Sequence, residues 1–249
     1  MQKFMRRQRH CGLSYLIVAV TIASAALATN TAIAPVSKAG KATWMARHQA
    51  MNARAQQGHI DLIYVGDSIV EGYETQGKDI WDRYYAPRHA LNLGISGDRT
   101  EHVLWRLDHG NLDGLAPTLA IVMIGQNNGG RNTADEIGAG VTAVVQQIRA
   151  KLPTTKILLL AIFPRRAKPT QERTVLAKAS RIAAQLADNH TIFYLDINQI
   201  FLRPDGSIPA ELMPDFEHPS AKGYRLWAEA IELTVAALMG DKAIAPAAP

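Results

Sequence analysis

Cysteine is almost absent from this chain, which has one in 249 residues, Cys11. We expect Cys11 to leave with an N-terminal leader, so the remaining chain has no internal disulfide and depends on an ordinary hydrophobic core. The eight histidines are scattered, without the spacings of a zinc site. There is also no phosphate loop, no dinucleotide fingerprint and no basic stripe of the kind that binds nucleic acid.

The N-terminus resembles an export signal. A positive start is followed by an almost wholly apolar stretch, Leu13–Ala28, which ends in the small-x-small sequence Ala26–Ala28. These features predict a signal peptide over residues 1–28 and a secreted or periplasmic protein without a stable membrane span after cleavage. A retained membrane anchor is the alternative, although the apolar stretch is short for a span.

Most of the positive charge belongs to this leader. It holds four of the 27 basic residues and none of the 22 acidic ones, so 23 basic and 22 acidic residues remain and the net charge falls from +5 to +1. The remaining 221 residues, 249 less 28, are enough for one domain. We predict a flexible lead over 29–41, a domain over 42–240 and a flexible tail over 241–249.

The body of the chain alternates apolar runs with helical patterns. Helices are predicted over Asp135–Leu152, Thr170–Asn189 and Ser220–Met239 from apolar residues at helical spacing. Five apolar runs typical of buried parallel strands are Asp61–Val65, His89–Leu93, Leu119–Ile124, Lys156–Ile162 and Ile192–Asp196. The alternation predicts a three-layer α/β/α sandwich around a five-stranded parallel sheet, with any site at the carboxyl ends of the strands.

A serine lies directly after the first predicted strand, in Val65–Ser68. Gly66 permits a tight exit from the strand, and the residues after Ser68 could open a helix. A hydroxyl there would lie at the sheet edge beside backbone N–H groups. Asp67 or Ser68 as a simple helix cap explains the same residues equally well.

His218 follows Asp215 by three residues, in a short loop between two prolines. At this spacing the carboxylate can fold back onto Nδ1–H and leave Nε2 to accept a proton from a serine. The alternative is a surface loop in which Asp215 makes an Asx turn and His218 is solvated. Glu217, next to His218, would favour the imidazolium if it reached the ring.

Hydrogen-bond donors follow two other predicted strands. Asn127 lies in Gly125–Asn128 and could aim a side-chain N–H at the crevice, and the backbone N–H of Gly97 could be a further donor. Read singly, both are ordinary turn residues. Read together with a serine and a histidine–carboxylate pair, they complete the groups that acyl transfer needs.

These motifs resemble the SGNH (GDSL-like) hydrolase family, and within it the branch of platelet-activating factor acetylhydrolase catalytic subunits. The likeness runs from about Leu62 to Leu233 and includes the segments Tyr64–Ser68, His89–Ile95, His102–Leu107, Gly125–Asn128 and Pro164–Arg165, together with Asp215, His218 and Gly223–Tyr224. Gln126 and Glu217 depart from the pattern of that branch, and the predicted leader separates the chain from its intracellular members.

The resemblance implies a flavodoxin-like fold, no cofactor and a serine esterase mechanism. It implies Ser68 as nucleophile, His218 as general base oriented by Asp215, and an oxyanion hole formed by the N–H groups of Ser68 and Gly97 and the side chain of Asn127. The expected substrate is a short-acyl ester, acetyl above all. A polysaccharide O-acetyl ester, a lysophospholipid and a non-catalytic glycan-binding module stay open as alternatives, as does a homodimer.

Overall fold

The apolar runs form one parallel sheet in the computed structural model, which describes residues 29–246; the predicted signal peptide and positions 247–249 lie outside the described residues. The strands run in the order β2-β1-β3-β4-β5. Their bounds are β1 Leu62–Gly66, β2 Ala90–Gly94, β3 Leu119–Met123, β4 Lys156–Leu160 and β5 Ile192–Leu195. The predicted α/β/α sandwich with flavodoxin-like order is confirmed.

Seven α-helices connect or flank these strands in the described part of the chain. They are α1 Ala42–Gln56, α2 Ser68–Glu71, α3 Lys78–Tyr84, α4 Thr100–Arg106, α5 Ala134–Lys151, α6 Gln171–Ala183 and α7 Ala221–Met239. The three long predicted helices are α5, α6 and α7. Helix α6 ends before the predicted Asn189 because the chain tightens into a 3-10 turn over Ala184–Leu186.

The sheet is covered on both faces, which explains why its strands are apolar without alternation. On one face α1, α4, α5 and α6 pack against alternate strand residues such as Ile63 and Val122. On the other face α3 and α7 pack against residues such as Tyr64 and Ile121, with Trp227 fully buried among them. No helix within residues 29–246 has the length and hydrophobicity that crossing a bilayer requires.

The lead and the tail have defined contacts where the sequence predicts flexibility. In the lead, the Ala32 carbonyl accepts a hydrogen bond from Thr100 Oγ1 at 2.7 Å, and Ala32 is buried. In the tail, Asp241 pairs with Arg88, which also forms a buried ion pair with Glu232. The described parts of both segments, up to residue 246, therefore make polar contacts with residues of the body that are far away in sequence.

Candidate active site

Ser68 is the first residue of α2, directly after β1 and Asp67. Asp67 caps this short helix, since its Oδ1 accepts a hydrogen bond from the Ile69 N–H at 3.0 Å. A Cβ added at Gly66 would lie 2.3 Å from Val70 Cγ2 and 2.6 Å from the Met123 carbonyl, so only glycine allows α2 to start so close to the sheet. The capping that the sequence allows and a partly buried Ser68 hydroxyl at the sheet edge thus coexist.

Ser68, His218 and Asp215 form one chain of hydrogen bonds. Ser68 Oγ lies 2.9 Å from His218 Nε2 across 150 residues of sequence. His218 Nδ1 lies 2.6 Å from Asp215 Oδ2. In the tautomer with the proton on Nδ1, Nε2 is the acceptor that faces the serine hydroxyl. The residue types and distances are those that allow a hydroxyl to lose its proton to an imidazole.

The loop over 214–218 fixes Asp215 by its own backbone. Asp215 Oδ1 accepts hydrogen bonds from the N–H of Glu217 at 3.0 Å and of His218 at 2.7 Å. Partial burial acts to raise the pKa of Asp215, but the hydrogen bonds from His218 and Glu217 outweigh it and hold that pKa below its ordinary value. The Asx turn that the sequence offers as an alternative is therefore present, and it leaves Oδ2 to the imidazole.

Asn127 connects the loop of Ser68 to the loop of Gly97. Its Nδ2 donates to Asp67 Oδ2 at 3.2 Å and to the Asp98 carbonyl at 2.9 Å. Both amide hydrogens are therefore engaged within the protein, and the contact with Asp67 is the longer one. Among the hydrogen bonds of the described residues, none uses the backbone N–H of Ser68 or Gly97. Gly97 has the left-handed φ of +70° that favours glycine.

Asp67 is a buried carboxyl beside this group. Desolvation raises its pKa to about 7; the hydrogen bond from Ile69 and the nearby His218 act to lower it, while Asp98 acts to raise it. Near neutral pH Asp67 is therefore divided between its neutral and charged forms.

The structure contains a buried ion cluster near the site that was not predicted from the sequence. Asp98, fully buried, accepts hydrogen bonds from Trp44 Nε1 at 2.7 Å, from Arg106 Nε at 2.8 Å and from Lys38 Nζ at 2.9 Å. One signal was present: Arg106 interrupts the apolar face of α4 between Val103 and Leu107, and a buried arginine needs an acidic partner.

The two positions that depart from the family pattern, Gln126 and Glu217, are engaged by other residues of the protein, as is the neighbouring Asn128. Gln126 is buried, with Nε2 3.4 Å from the Phe163 carbonyl. Asn128, also buried, accepts from the Thr100 N–H at 3.0 Å and supports the start of α4. Glu217 pairs with Arg165 at 2.8 Å. The carboxylate next to His218 thus pairs with a guanidinium, and among the ion pairs of the described residues it makes none with the imidazole.

A small cleft of about 260 Å³ adjoins the histidine. Gln76, Pro214 and Ser220 line it together with Asp215 and His218. Within the described residues, no three histidine, cysteine, aspartate or glutamate side chains converge to hold a metal ion. The groups that the structure brings together here are a hydroxyl, an imidazole, carboxylates and amides.

A family model for the GDSL-like lipase/acylhydrolase family matches residues 64–226, a range that contains Ser68, Gly97, Asn127, Asp215 and His218. The chain belongs to this family. It is 38% identical to platelet-activating factor acetylhydrolase IB subunit alpha2 of Rattus norvegicus over 186 residues, which cover 74% of this chain and 80% of the relative. Subunit alpha1 of the same enzyme from Homo sapiens is 33% identical over 186 residues, which cover 74% of this chain and 79% of the relative.

Solved structures show the same fold. A GDSL-like lipase from Bacteroides thetaiotaomicron superposes with a TM-score of 0.60 at 19% identity, over 76% of this chain and 96% of the neighbour. An acetyl xylan esterase superposes with a TM-score of 0.59 at 21% identity, over 71% of this chain and 100% of the neighbour. The family and its acetylhydrolase members identify the chain as a carboxylic ester hydrolase.

The predicted secreted or periplasmic location is wrong. It is contradicted by the relatives, which are subunits of an intracellular acetylhydrolase. The prediction rested on residues 1–28, which lie outside the described residues. A basic start followed by a short apolar stretch is a pattern of composition, and such a pattern is not specific to exported proteins.

Proposed function

We propose that this protein hydrolyses short-acyl esters, acetyl esters above all, with Ser68 as nucleophile, His218 as general base and Asp215 as the group that orients the imidazole. The observation that carries the proposal is the hydrogen-bonded chain from Ser68 Oγ through His218 to Asp215, at 2.9 and 2.6 Å. The identity to acetylhydrolase subunits supports the acetyl group as the acyl part.

The first half-reaction forms an acyl-enzyme. Ser68 Oγ attacks the ester carbonyl carbon while its proton passes to His218 Nε2, and the carbonyl oxygen becomes an oxyanion. Collapse of this intermediate breaks the bond to the alcohol oxygen, which takes the proton from Nε2. Asp215 stabilises the transient imidazolium through its contact with Nδ1.

The second half-reaction hydrolyses the acyl-enzyme and regenerates the free enzyme. Water attacks the acyl carbonyl, loses a proton to His218, and the acid departs as Ser68 regains its hydrogen. The oxyanion of both halves accepts from the N–H groups of Ser68 and Gly97, and from Asn127 Nδ2 once its longer contact, with Asp67 at 3.2 Å, is exchanged for the substrate.

The small cleft beside His218 supports a short acyl or alcohol group. Its volume of about 260 Å³ lies below the roughly 300–1,000 Å³ of pockets that enclose drug-sized ligands. An acetyl group fits within such a space, whereas a long acyl chain would extend beyond this cleft.

The acyl preference is testable with esters that share one alcohol. We expect the purified protein to hydrolyse the p-nitrophenyl acetate ester with a kcat/KM at least about tenfold above that for the octanoate ester, measured as initial rates with Ser68→Ala as the blank. Acetylated xylan and an acetylated phospholipid, assayed for released acetate, then define the alcohol. A preference for octanoate would contradict the acetyl assignment.

A further inference from the structure

The N-terminal strap, defined here as residues 30–38, runs from α5 to the loop that carries Gly97. At its start Asn30 Nδ2 donates to the Glu136 carbonyl at 3.3 Å. Further along, the Val36 N–H donates to the Glu101 carbonyl at 3.1 Å. The strap precedes the first long helix and lies in the part of the sequence where we predicted a flexible lead, yet its last residue contacts the candidate active site.

That last residue is Lys38. Its ammonium donates to the Gly97 carbonyl at 2.6 Å and to Asp98 Oδ1 at 2.9 Å. The Lys38 side chain is only 13% exposed; its contact with Asp98 is partly buried, whereas its contact with the Gly97 carbonyl lies at the surface. Burial lowers the pKa of Lys38, and the adjacent Asp98 carboxylate acts in the opposite direction.

The two successive peptides that follow Gly97 are each held by a side chain through the carbonyl oxygen. Lys38 binds the Gly97 carbonyl, and Asn127 Nδ2 binds the carbonyl of Asp98 at 2.9 Å. The Asp98 side chain is fixed from below by Trp44 and Arg106. Lys38 is thus the contact that acts directly on Gly97, whereas the others act on Asp98.

Gly97 is the residue of this loop that most needs such a contact. It has no side chain, it is exposed, and its φ of +70° is only one of the conformations that glycine adopts readily. An oxyanion donor stabilises the transition state only when its N–H already points at the developing charge. The Gly97 carbonyl belongs to the peptide after Gly97 and the N–H to the peptide before it. By fixing the carbonyl, Lys38 limits the changes in φ and ψ at Gly97 that would turn the N–H away.

We propose that Lys38 is a positioning residue for ester hydrolysis: it fixes the peptide that follows Gly97 and so limits the backbone rotation at Gly97 that would turn the Gly97 N–H away from the oxyanion. This inference rests on the proposed function. Lys38 does not touch the substrate; it acts through Gly97. On this proposal the N-terminal strap contributes to catalysis, although it precedes the domain predicted over residues 42–240.

The test is Lys38→Met in the full chain, because methionine keeps most of the stem and removes the donor. We expect kcat for an acetyl ester to fall about tenfold, while KM stays within about twofold of wild type. The reason is that the contact of Lys38 with Gly97 positions a donor for the oxyanion, a charge that exists only in the transition state. Lys38→Arg, which retains a donor, should recover most of the lost kcat. The matched control is Lys41→Met, an exposed lysine three residues on, which should stay within about twofold of wild type.

Urea unfolding of each variant separates positioning from stability. The inference is overturned if Lys38→Met keeps wild-type kcat, if KM rises while kcat stays constant, or if Lys38→Arg fails to recover kcat in a folded protein. Should Lys38→Met not fold, Lys38→Leu, which also lacks a donor, takes its place, with the same expected fall in kcat and a wild-type unfolding curve.

Ser68→Ala, assayed in the same series, distinguishes the two proposals. If wild-type turnover does not depend on Ser68, the proposed function fails and this inference fails with it. If turnover depends on Ser68 but Lys38→Met leaves it intact, only the role of Lys38 is overturned.

Discussion

At the scale of single residues, Asp67 is a carboxyl beside the candidate nucleophile whose pKa lies far above its ordinary value. It is fully buried, next to Ser68, and its carboxylate accepts from both Ile69 and Asn127. Burial removes water from a carboxylate that has no cationic partner in direct contact among the described residues, and this desolvation is what raises its pKa to about 7.

The sign of the resulting pH dependence is opposite to that of a salt-bridged aspartate. In the unfolded chain Asp67 has its ordinary pKa of 3.8, and in the folded chain about 7. Between these values the folded state binds more protons, so the contribution of Asp67 to the free energy of unfolding falls as the pH rises from about 4 to about 7. Above the pKa of the folded state, this contribution of Asp67 has been lost completely and no longer changes with pH.

Asp67→Asn should therefore remove one component of this pH dependence. We expect the free energy of unfolding of the variant, relative to wild type, to rise between about pH 4 and pH 7 by a few kcal/mol, about 1.4 for each unit of the pKa shift at most. The measurement is urea unfolding of both proteins at unit pH steps. A difference that does not vary with pH would mean that Asp67 titrates normally in the folded protein.

At the scale of elements, the loop that carries His218 is braced by the loop after β4. Phe216 and Arg166 both have left-handed φ values, +59° and +71°, which are uncommon for residues with side chains. The Arg166 N–H donates to the Phe216 carbonyl at 2.8 Å. This bond between the two loops offsets part of the strain and fixes the backbone between Asp215 and His218.

Arg165 adds a second connection between the same loops. Its guanidinium pairs with Glu217 at 2.8 Å and with Glu172 at 3.2 Å. The arginine side chain is 13% exposed and the glutamates are 21% and 19% exposed, so the pairs are only partly screened by solvent. Glu217 directly precedes His218 in the chain, so this contact should restrain the position of the histidine.

Arg165→Met should loosen this loop without removing any reacting group. We expect kcat for an acetyl ester to fall several-fold, because the distance from His218 to Ser68 is less well held. The free energy of unfolding should fall by about 1–2 kcal/mol, a value reduced for partial exposure. The control is Lys168→Met, an exposed lysine of the same loop. Equal kcat values for the two variants would show that Arg165 does not position the histidine.

At the scale of the whole molecule, the sheet was predictable because its signals are local. Each strand is an unbroken apolar run, and helices α5 to α7 place apolar residues at one helical face. The loops after β1 and β3, which carry Ser68 and Asn127, follow directly from this alternation, since parallel strands bring their carboxyl ends to one edge.

The parts that could not be predicted depend on contacts between distant residues. Helix α1 carries polar and charged residues along much of its length, and its buried positions, such as Trp44 and His48, became recognisable only from their partners. Lys38 lies 60 residues from Asp98, and nothing local in the strap indicates that contact. The composition of small and polar residues therefore predicted a flexible lead, because the contact with Asp98 is not indicated by the local sequence.

The central claim is that ester hydrolysis depends on a hydroxyl at residue 68. Its most direct test is the kcat/KM of Ser68→Ala for an acetyl ester, with circular dichroism to establish that the variant is folded. The account predicts a loss of about 10⁴-fold or more, since no other group replaces the nucleophile. Turnover within about tenfold of wild type by the folded variant would contradict it.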